Sequence, residues 1–486
     1  MSGTLFLLLL AVYFLLQILS RTSLSGALSM DEAEAVFSFQ QLQLGYGTQP
    51  PVYAWLQWLM FSAFGVNLFA LSALKNLILF ASYASMFFLA RPMLGTSGAM
   101  AVSASLLFFP EIGWESNRDR THSVLLITMV SVTLWSYFAV LRRPTAARYA
   151  LFGLLVGLGL QSKYNFAAFL AGLAVASLLV KEHRQAIWNR KVWLAAAIAL
   201  LCVLPHGLWM LDHMHAATGE TLQKMKEGHQ QTTYLQNVAS GFGTMLKSIL
   251  AIVILPLLIY GIICRRYLKA AYKEASVGWR NPDARFLVYL CSTIFLILAA
   301  LVLSGQASNI KARWIMPLLI FPPLAFFLLL PALARDEVYR RILQVAAACA
   351  LIILLGFQLR DHVQPALGRY SAEHIPYSQL SDELARRFPD VRHLIASDIQ
   401  TAGNLYFQRP ALRPLLAHQV LMKPGLLEGD VLLVIPGGTP AGSLEKFRAV
   451  YPNSTVRQQG RLELPYKRSS AVTMPFDYIY IEVRKP

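Results

Sequence analysis

Charge is scarce in this sequence. Asp, Glu, Lys and Arg make up 14% of its 486 residues and hydrophobic side chains 56%, where soluble domains carry roughly 25% charged residues. A conventional water-soluble globule is excluded. The charge that is present leans one way, with 43 Lys and Arg against 26 Asp and Glu and a formal net charge of +17. In a soluble chain that excess would point to nucleic acid. In a chain built of long apolar blocks it points to basic loops on the cytoplasmic side of a membrane, and a nucleic-acid partner is set aside.

Cysteine is scarce too. Cys202, Cys264, Cys291 and Cys349 lie within or at the ends of apolar blocks, with neither metal-ligand spacing nor an extracellular pairing pattern. They read as packing thiols. No Gly-rich loop follows a strand, so neither a nucleotide-driven pump nor a dinucleotide enzyme is indicated. No internal repeat is visible, unlike the inverted repeats of many secondary transporters. No Lys or Arg precedes the first apolar block, so residues 3–20 read as a retained helix despite a weak cleavage-like Ala27-Leu28-Ser29.

With ~20 residues per crossing as the guide, the apolar blocks predict about eleven membrane segments: 3–20, 68–90, 98–110, 122–141, 149–161, 166–180, 192–210, 242–264, 286–303, 312–330 and 342–358. Segments 98–110, 149–161 and 166–180 are short and read as tilted, re-entrant or half-helices, which protein or a water-filled cavity must cover. Threading the segments from a cytoplasmic N-terminus puts 17 Lys and Arg on inside loops and 8 outside. That positive-inside bias places residues 21–66, 111–121, 211–241 and the tail on the far side. The membrane part is residues 1–358. Residues 359–486 change character, with charged and Pro-rich stretches around short apolar runs such as 431–435 and 478–481 and helical patterns at 378–388 and 443–450. They predict a small α/β domain outside the membrane.

Charges gather in tight groups on the predicted outer loops. The first loop begins Met30-Asp31-Glu32-Ala33-Glu34. A carboxylate at the membrane edge can act as a general base toward a hydroxyl or help to hold a divalent cation; a solvated loop is the plain alternative. Gly45-Tyr46-Gly47-Thr48-Gln49-Pro50-Pro51-Val52-Tyr53-Ala54-Trp55-Leu56 follows, a stiff turn leading into an aromatic segment suited to the interface. Trp114-Glu115-Ser116-Asn117-Arg118-Asp119-Arg120-Thr121-His122 packs acids, arginines and a histidine between two apolar blocks. Arg forks match phosphate oxygens, and a salt-bridged loop is the alternative. Lys163-Tyr164 separates two apolar half-segments, and Lys311-Ala312-Arg313-Trp314 opens another. Such cations can simply snorkel, yet Arg118, Arg120, Lys163, Lys311 and Arg313 together offer one outer surface several phosphate-binding groups. Lys75 lies inside or near the end of a span, a position where charge is suspect by default. Asp212-His213-Met214-His215 has metal-ligand residue types but reads better as a loop cluster.

These motifs resemble bacterial glycosyltransferase family 39, most closely the branch of rhizobial lipopolysaccharide galacturonosyltransferases. The resemblance rests on the acidic start at 31–34, the 45–56 run, Gly157-Leu158-Gly159-Leu160-Gln161-Ser162-Lys163-Tyr164, and Lys311-Ala312-Arg313-Trp314-Ile315-Met316-Pro317. It covers roughly residues 1–330. It implies a GT-C fold: an α-helical polytopic bundle with its active site at the outer surface, here followed by the small C-terminal extracytoplasmic domain. It implies a polyprenyl-phosphate-linked sugar as donor, a lipid or glycan acceptor in the cell envelope, and residence in the bacterial inner membrane among its lipids. Asp31 matches the family's first-loop Asp, and Asp119 best matches its second acid. The five cations then face the donor phosphate, and Glu34, Gln49, Tyr53 and Tyr164 fall to substrate contact. A divalent cation remains an open cofactor. Relatives that move aminoarabinose carry Glu-Lys before the Pro pair; this chain has Thr48-Gln49, a departure in metal or phosphate contacts. A flippase for lipid-linked sugar or a protein O-mannosyltransferase-like enzyme is the alternative function.

Overall fold

The computed structural model describes residues 1–214, 219, 233–316, 320–421, 425–437, 440–469 and 471–484. It divides into two compact units. The first takes Met1–Gln17, Gln43–Leu56 and Leu74–Leu354, and the second Ile18–Leu42, Gln57–Ala73 and Leu355–Pro486. The sequence places a boundary at 358; the second unit also draws in two stretches from the N-terminal region.

The helices in chain order are α1 (Gly3–Ser23), α2 (Met30–Ser38), α3 (Val52–Phe64), α4 (Leu68–Ala104), α5 (His122–Arg142), α6 (Ala146–Leu160), α7 (Phe166–Leu179) and α8 (Val192–Asp212). After them come α9 (Tyr234–Cys264), α10 (Leu268–Arg280), α11 (Pro282–Leu303), α12 (Asp336–Ala366), α13 (Tyr377–Arg387), α14 (Ile399–Gln408) and α15 (Pro440–Val450). Among the described residues, 7 helices are long and apolar enough to cross a bilayer, with mean hydropathy between 1.6 and 2.7. They are α1, α4, α5, α8, α9, α11 and α12. The shorter α6 and α7 have 15 and 14 residues, which at 1.5 Å per residue fall short of the ~30 Å hydrocarbon core.

The gap between the predicted segments 68–90 and 98–110 is a kink inside α4. Two helical stretches meet there at Gly95, whose backbone is not helical (φ 70, ψ −177), and the second ends in a 3₁₀ turn, Ser105–Phe108. Glycine tolerates this positive-φ backbone at no steric cost, so the chain turns sharply between the two stretches. Segment 312–330 is corrected: its described residues are α-helical at Ala312–Ile315 and Pro322–Leu329, with bends at 320–321 just before the second stretch. Pro322 and Pro323 lack N–H donors and so start a helix but cannot continue one. The basic stretch between the predicted segments 242–264 and 286–303 carries α10, which packs through Ala271 and Gly278. A Cβ on Gly278 would lie 1.9 Å from the Leu329 carbonyl oxygen, so only glycine allows that approach. In the same way Gly153 meets the Ala195 backbone and Gly157 meets Cys202, bringing α6 and α8 together through small residues.

The second unit holds a sheet of five strands, β1 (His393–Ala396), β2 (Leu415–Leu416), β3 (Gly429–Pro436), β4 (Ser454–Pro465) and β5 (Thr473–Val483), in the order β2-β1-β3-β5-β4. β1 runs parallel to β2 and β3, and β5 runs antiparallel to β3 and β4. The apolar runs at 431–435 and 478–481 are the central strands. Alternate residues serve opposite faces: Leu432 and Val434 join Tyr377, Leu380 and Phe476, while Leu433 and Ile435 join Phe447, Ile479 and Ile481. Helices α13 and α15 take the places of the helical patterns at 378–388 and 443–450.

Candidate active site

The turn before α3 is built as its sequence suggests. Tyr46 and Gln49 exchange backbone hydrogen bonds at 3.1 and 3.2 Å, and Gly47 between them sits at φ 59, a backbone state that favours glycine. The Pro50-Pro51 pair leads into α3, where the Trp55 N–H bonds the Pro51 carbonyl at 2.9 Å. The Val52 N–H reaches Gln161 at 3.3 Å. His206 meets the Leu44 carbonyl at 2.6 Å and the Tyr164 hydroxyl at 3.3 Å. Two loops of the first unit and helix α8 thus converge. Burial pushes the Tyr164 hydroxyl above its usual range.

The stretch from 111 to 122 forms a π-helical turn, Glu111–Glu115, followed by one α turn, Ser116–Asp119. Here the arginines meet acids. Arg118 pairs with Glu115 at 2.9 Å, and Arg120 lies 3.6 Å from Glu115 and 3.8 Å from Glu111. Burial raises the Glu111 carboxyl above its usual range; Arg120 opposes the rise, Glu115 adds to it, and Arg313 and Arg118 also oppose it. Arg313 therefore belongs to the same field as Arg118 and Arg120. The Nε atoms of Arg118, Arg120 and Arg313 are each buried without a hydrogen-bond partner among the described residues. Unsatisfied buried donors are uncommon and call for a partner. Lys75, only 4% exposed, donates to the Asn117 carbonyl at 2.8 Å and fastens this stretch to α4.

Next along the chain, Lys163 donates to the Ser123 hydroxyl at 2.7 Å. Its charge acts on His122, whose ring lies 5.1 Å from that of Tyr53. Tyr53 is 1% exposed. Lys163, Tyr53 and the N-terminal end of α5 are thus neighbours. The segment before Arg313 is held by a row of hydroxyls on α9. Ser240 donates to the Ser308 carbonyl at 3.1 Å, Thr244 accepts the Ile310 N–H at 3.0 Å, and Ser248 donates to the Ile310 carbonyl at 2.8 Å. Their four-residue spacing puts them on one helix face. Lys311 directly follows this anchored segment.

Of the expected site residues, Asp119, Arg118, Arg120, Lys163, Lys311, Arg313, Gln49, Tyr53 and Tyr164 lie in the first unit, and Asp31 and Glu34 in the second. Asp31 and Glu34 sit on α2, half-buried, beside the buried Glu32. The sequence reading missed Glu111, Ser123 and the α9 hydroxyls. The (i, i+4) spacing of Ser240, Thr244 and Ser248 was the available signal. Of Asp212-His213-Met214-His215, His215 lies outside the described residues. Among those described, no group of three His, Cys, Asp or Glu residues could hold a metal ion.

Comparison with known proteins settles the family. Residues 48–209 match the family model described as dolichyl-phosphate-mannose-protein mannosyltransferase. The chain is 32% identical over 477 residues to the lipopolysaccharide core galacturonosyltransferase RgtB of Rhizobium johnstonii, covering 97% of this chain and 94% of that protein. The chain belongs to the family 39 membrane glycosyltransferases. RgtA of the same organism, also a lipopolysaccharide core galacturonosyltransferase, is 32% identical over 94% of this chain and 93% of its own length. ArnT from Cupriavidus metallidurans, solved bound to undecaprenyl phosphate, superposes with a TM-score of 0.61 at 13% identity, covering 97% of each chain. The fold is therefore GT-C, an α-helical polytopic bundle with a small C-terminal α/β domain, as the sequence predicts. This family 39 member is a multi-pass membrane enzyme that transfers sugar.

Proposed function

We propose that the chain moves galacturonic acid from a polyprenyl-phosphate carrier to the core or lipid A region of lipopolysaccharide, at the outer face of the bacterial inner membrane. The observation that carries this reading is the similarity to the RgtB and RgtA galacturonosyltransferases over nearly the whole chain. The carrier class is supported by the undecaprenyl phosphate bound to ArnT. The buried, unsatisfied guanidinium N–H groups of Arg118, Arg120 and Arg313 suit an anionic ligand, and the donor presents both a phosphate and a sugar carboxylate. The loop-charge bias supports a cytoplasmic N-terminus and an extracytoplasmic C-terminal domain.

In this mechanism an acceptor hydroxyl attacks the anomeric carbon from the face opposite the phosphate. A C–O bond forms, the bond from the anomeric carbon to the phosphate oxygen breaks, and polyprenyl phosphate leaves with the electron pair, so configuration inverts. The hydroxyl proton passes to Asp31, the acid matched by the family resemblance. Charge on the departing phosphate is stabilised by Lys163, Arg118, Arg120, Lys311 and Arg313, and fixed charge of this kind is often the largest catalytic term. Asp119 takes the second acid's place, and Glu34, Gln49, Tyr53 and Tyr164 contact substrate. No step is routed through a divalent cation. The test is transfer of labelled sugar from polyprenyl-phosphate donor to lipopolysaccharide acceptor, comparing wild type with Asp31→Asn. The reading expects transfer that the variant loses. Full transfer by the variant would overturn the role of Asp31, and movement of lipid-linked sugar across liposomes without transfer would favour a flippase.

A further inference from the structure

The segment that leads to Asp31 is held at the Ser25, Gly26, Ala27 and Leu28 carbonyls and at the Leu28 and Ser29 N–H groups by side chains of its own unit. Residues 24–29 link α1 to α2 without regular structure. Arg21 donates to the Ser25 and Ala27 carbonyls at 3.0 and 3.1 Å and forks onto Glu32 at 2.9 and 2.6 Å. Glu32 in turn accepts the Ser29 N–H at 3.0 Å, one half of a capping box at the start of α2. These contacts are local to the first loop. The rest come from the C-terminal domain.

Asn404 on α14 is fully buried. It accepts the Leu28 N–H at 2.7 Å and donates back to the Leu28 carbonyl at 3.3 Å. Gln408, one turn on, donates to the Gly26 carbonyl at 3.2 Å. The preceding residue, Gly403, lets the two helix backbones touch: a Cβ there would stand 2.2 Å from the Ala33 carbonyl oxygen and 2.7 Å from its Cα. Helix α14 is itself fixed by Asp398, which accepts the Thr401 N–H at 2.8 Å and the Thr401 hydroxyl at 2.9 Å.

We infer that α14 of the C-terminal domain is a positioning element for sugar transfer: Gly403 and Asn404 set the height and rotation of the first turn of α2, and so the aim of the Asp31 carboxylate. The inference rests on the proposed role of Asp31 as acceptor base. It gives the tail a part in the chemistry without contact to substrate. A reacting group displaced by about 1 Å can lose about a hundredfold in rate, and a methyl group at Gly403 forces a displacement of that order.

The test uses the full chain purified from membranes, with Gly403→Ala and Asn404→Asp made alone and in the Asp31→Asn background. Asn404→Asp is nearly isosteric and keeps the acceptor for Leu28 while losing the donor, but it buries a carboxylate, so a thermal melt of each variant guards against one that merely fails to fold. Each single variant is expected to lower kcat about tenfold or more with donor KM within about twofold. In the Asp31→Asn background each is expected to cost less than about twofold more. The acid limb of the kcat–pH profile is expected to shift in Gly403→Ala. The same fold loss in both backgrounds, or an unchanged acid limb, overturns the inference. If Asp31→Asn is inactive while both α14 variants keep wild-type kcat, only the inference falls. If Asp31→Asn transfers at the wild-type rate, the role of Asp31 falls and takes the inference with it.

Discussion

Replacing Arg313 with Met separates catalysis from folding more cleanly than any other change in the cluster. Arg313 opens the helical turn Ala312–Ile315, pulls on Glu111 through space, and keeps a buried Nε–H without a partner among the described residues. In the protein alone it therefore contributes little: the lost attraction to Glu111 and the relief of an orphaned donor nearly cancel, leaving stability within about 1 kcal/mol. With donor bound the balance differs. A unit charge ~4 Å from a phosphate in a medium of effective dielectric ~20 contributes about 4 kcal/mol before compensation. The sugar phosphodiester carries one negative charge and the departing monoester approaches two, so part of that attraction is felt only in the transition state. Loss of one such preorganised group costs roughly 10²–10³ in kcat. Arg313→Met should therefore lose about that factor at saturating donor, with its thermal midpoint nearly unchanged, and Arg313→Lys should recover only part because it restores the charge without the fork. The assay is steady-state transfer by purified protein beside a thermal melt. A kcat within about fivefold of wild type, or a loss matched by loss of folded protein, would refute the reasoning.

Three further outcomes follow from the same geometry. Lys163→Met, which removes the ammonium on Ser123, should lower kcat by about tenfold or more at near-normal stability; unchanged kcat would remove Lys163 from the phosphate site. Lys75→Met frees the Asn117 carbonyl, so hydrogen exchange at 111–121 should quicken and donor KM rise, and unchanged exchange would show that the contact does not hold the loop. Burial, above all, holds the Glu111 pKa above the ordinary carboxylate range. A raised carboxyl pKa gives stability that is full below the unfolded value and lost as pH rises through the folded one. Glu111→Gln should accordingly melt higher relative to wild type at neutral pH than at pH about 4; a difference independent of pH would contradict the burial argument.

The membrane spans were largely legible because hydrocarbon demands long runs without charge, and such runs are visible in one dimension. The strands at 431–435 and 478–481 and the helices at 378–388 and 443–450 were legible from apolar runs and periodicity. The errors came where the pattern is silent about backbone continuity. Pro322 and Pro323 start a new helix within a run whose hydropathy looks continuous, whereas the break between 68–90 and 98–110, legible in the sequence, falls at Gly95. In the site, the sequence named Arg118, Arg120 and Arg313 but not Glu111, which lies nine residues before its partner Arg120, a separation that no helical spacing marks. The grip of Asn404 on Leu28 joins residues 376 positions apart, and no local pattern announces such a contact.

The central claim, transfer of galacturonic acid from a lipid phosphate, is tested most directly by offering purified protein a set of polyprenyl-phosphate donors with lipopolysaccharide core acceptor. The donors would carry galacturonic acid, its neutral hexose counterpart or aminoarabinose, and product would be read by mass. The account predicts a product larger by one uronic acid residue from the first donor and little from the others. Efficient transfer of aminoarabinose or of the neutral hexose, with none of the uronic acid, would contradict it.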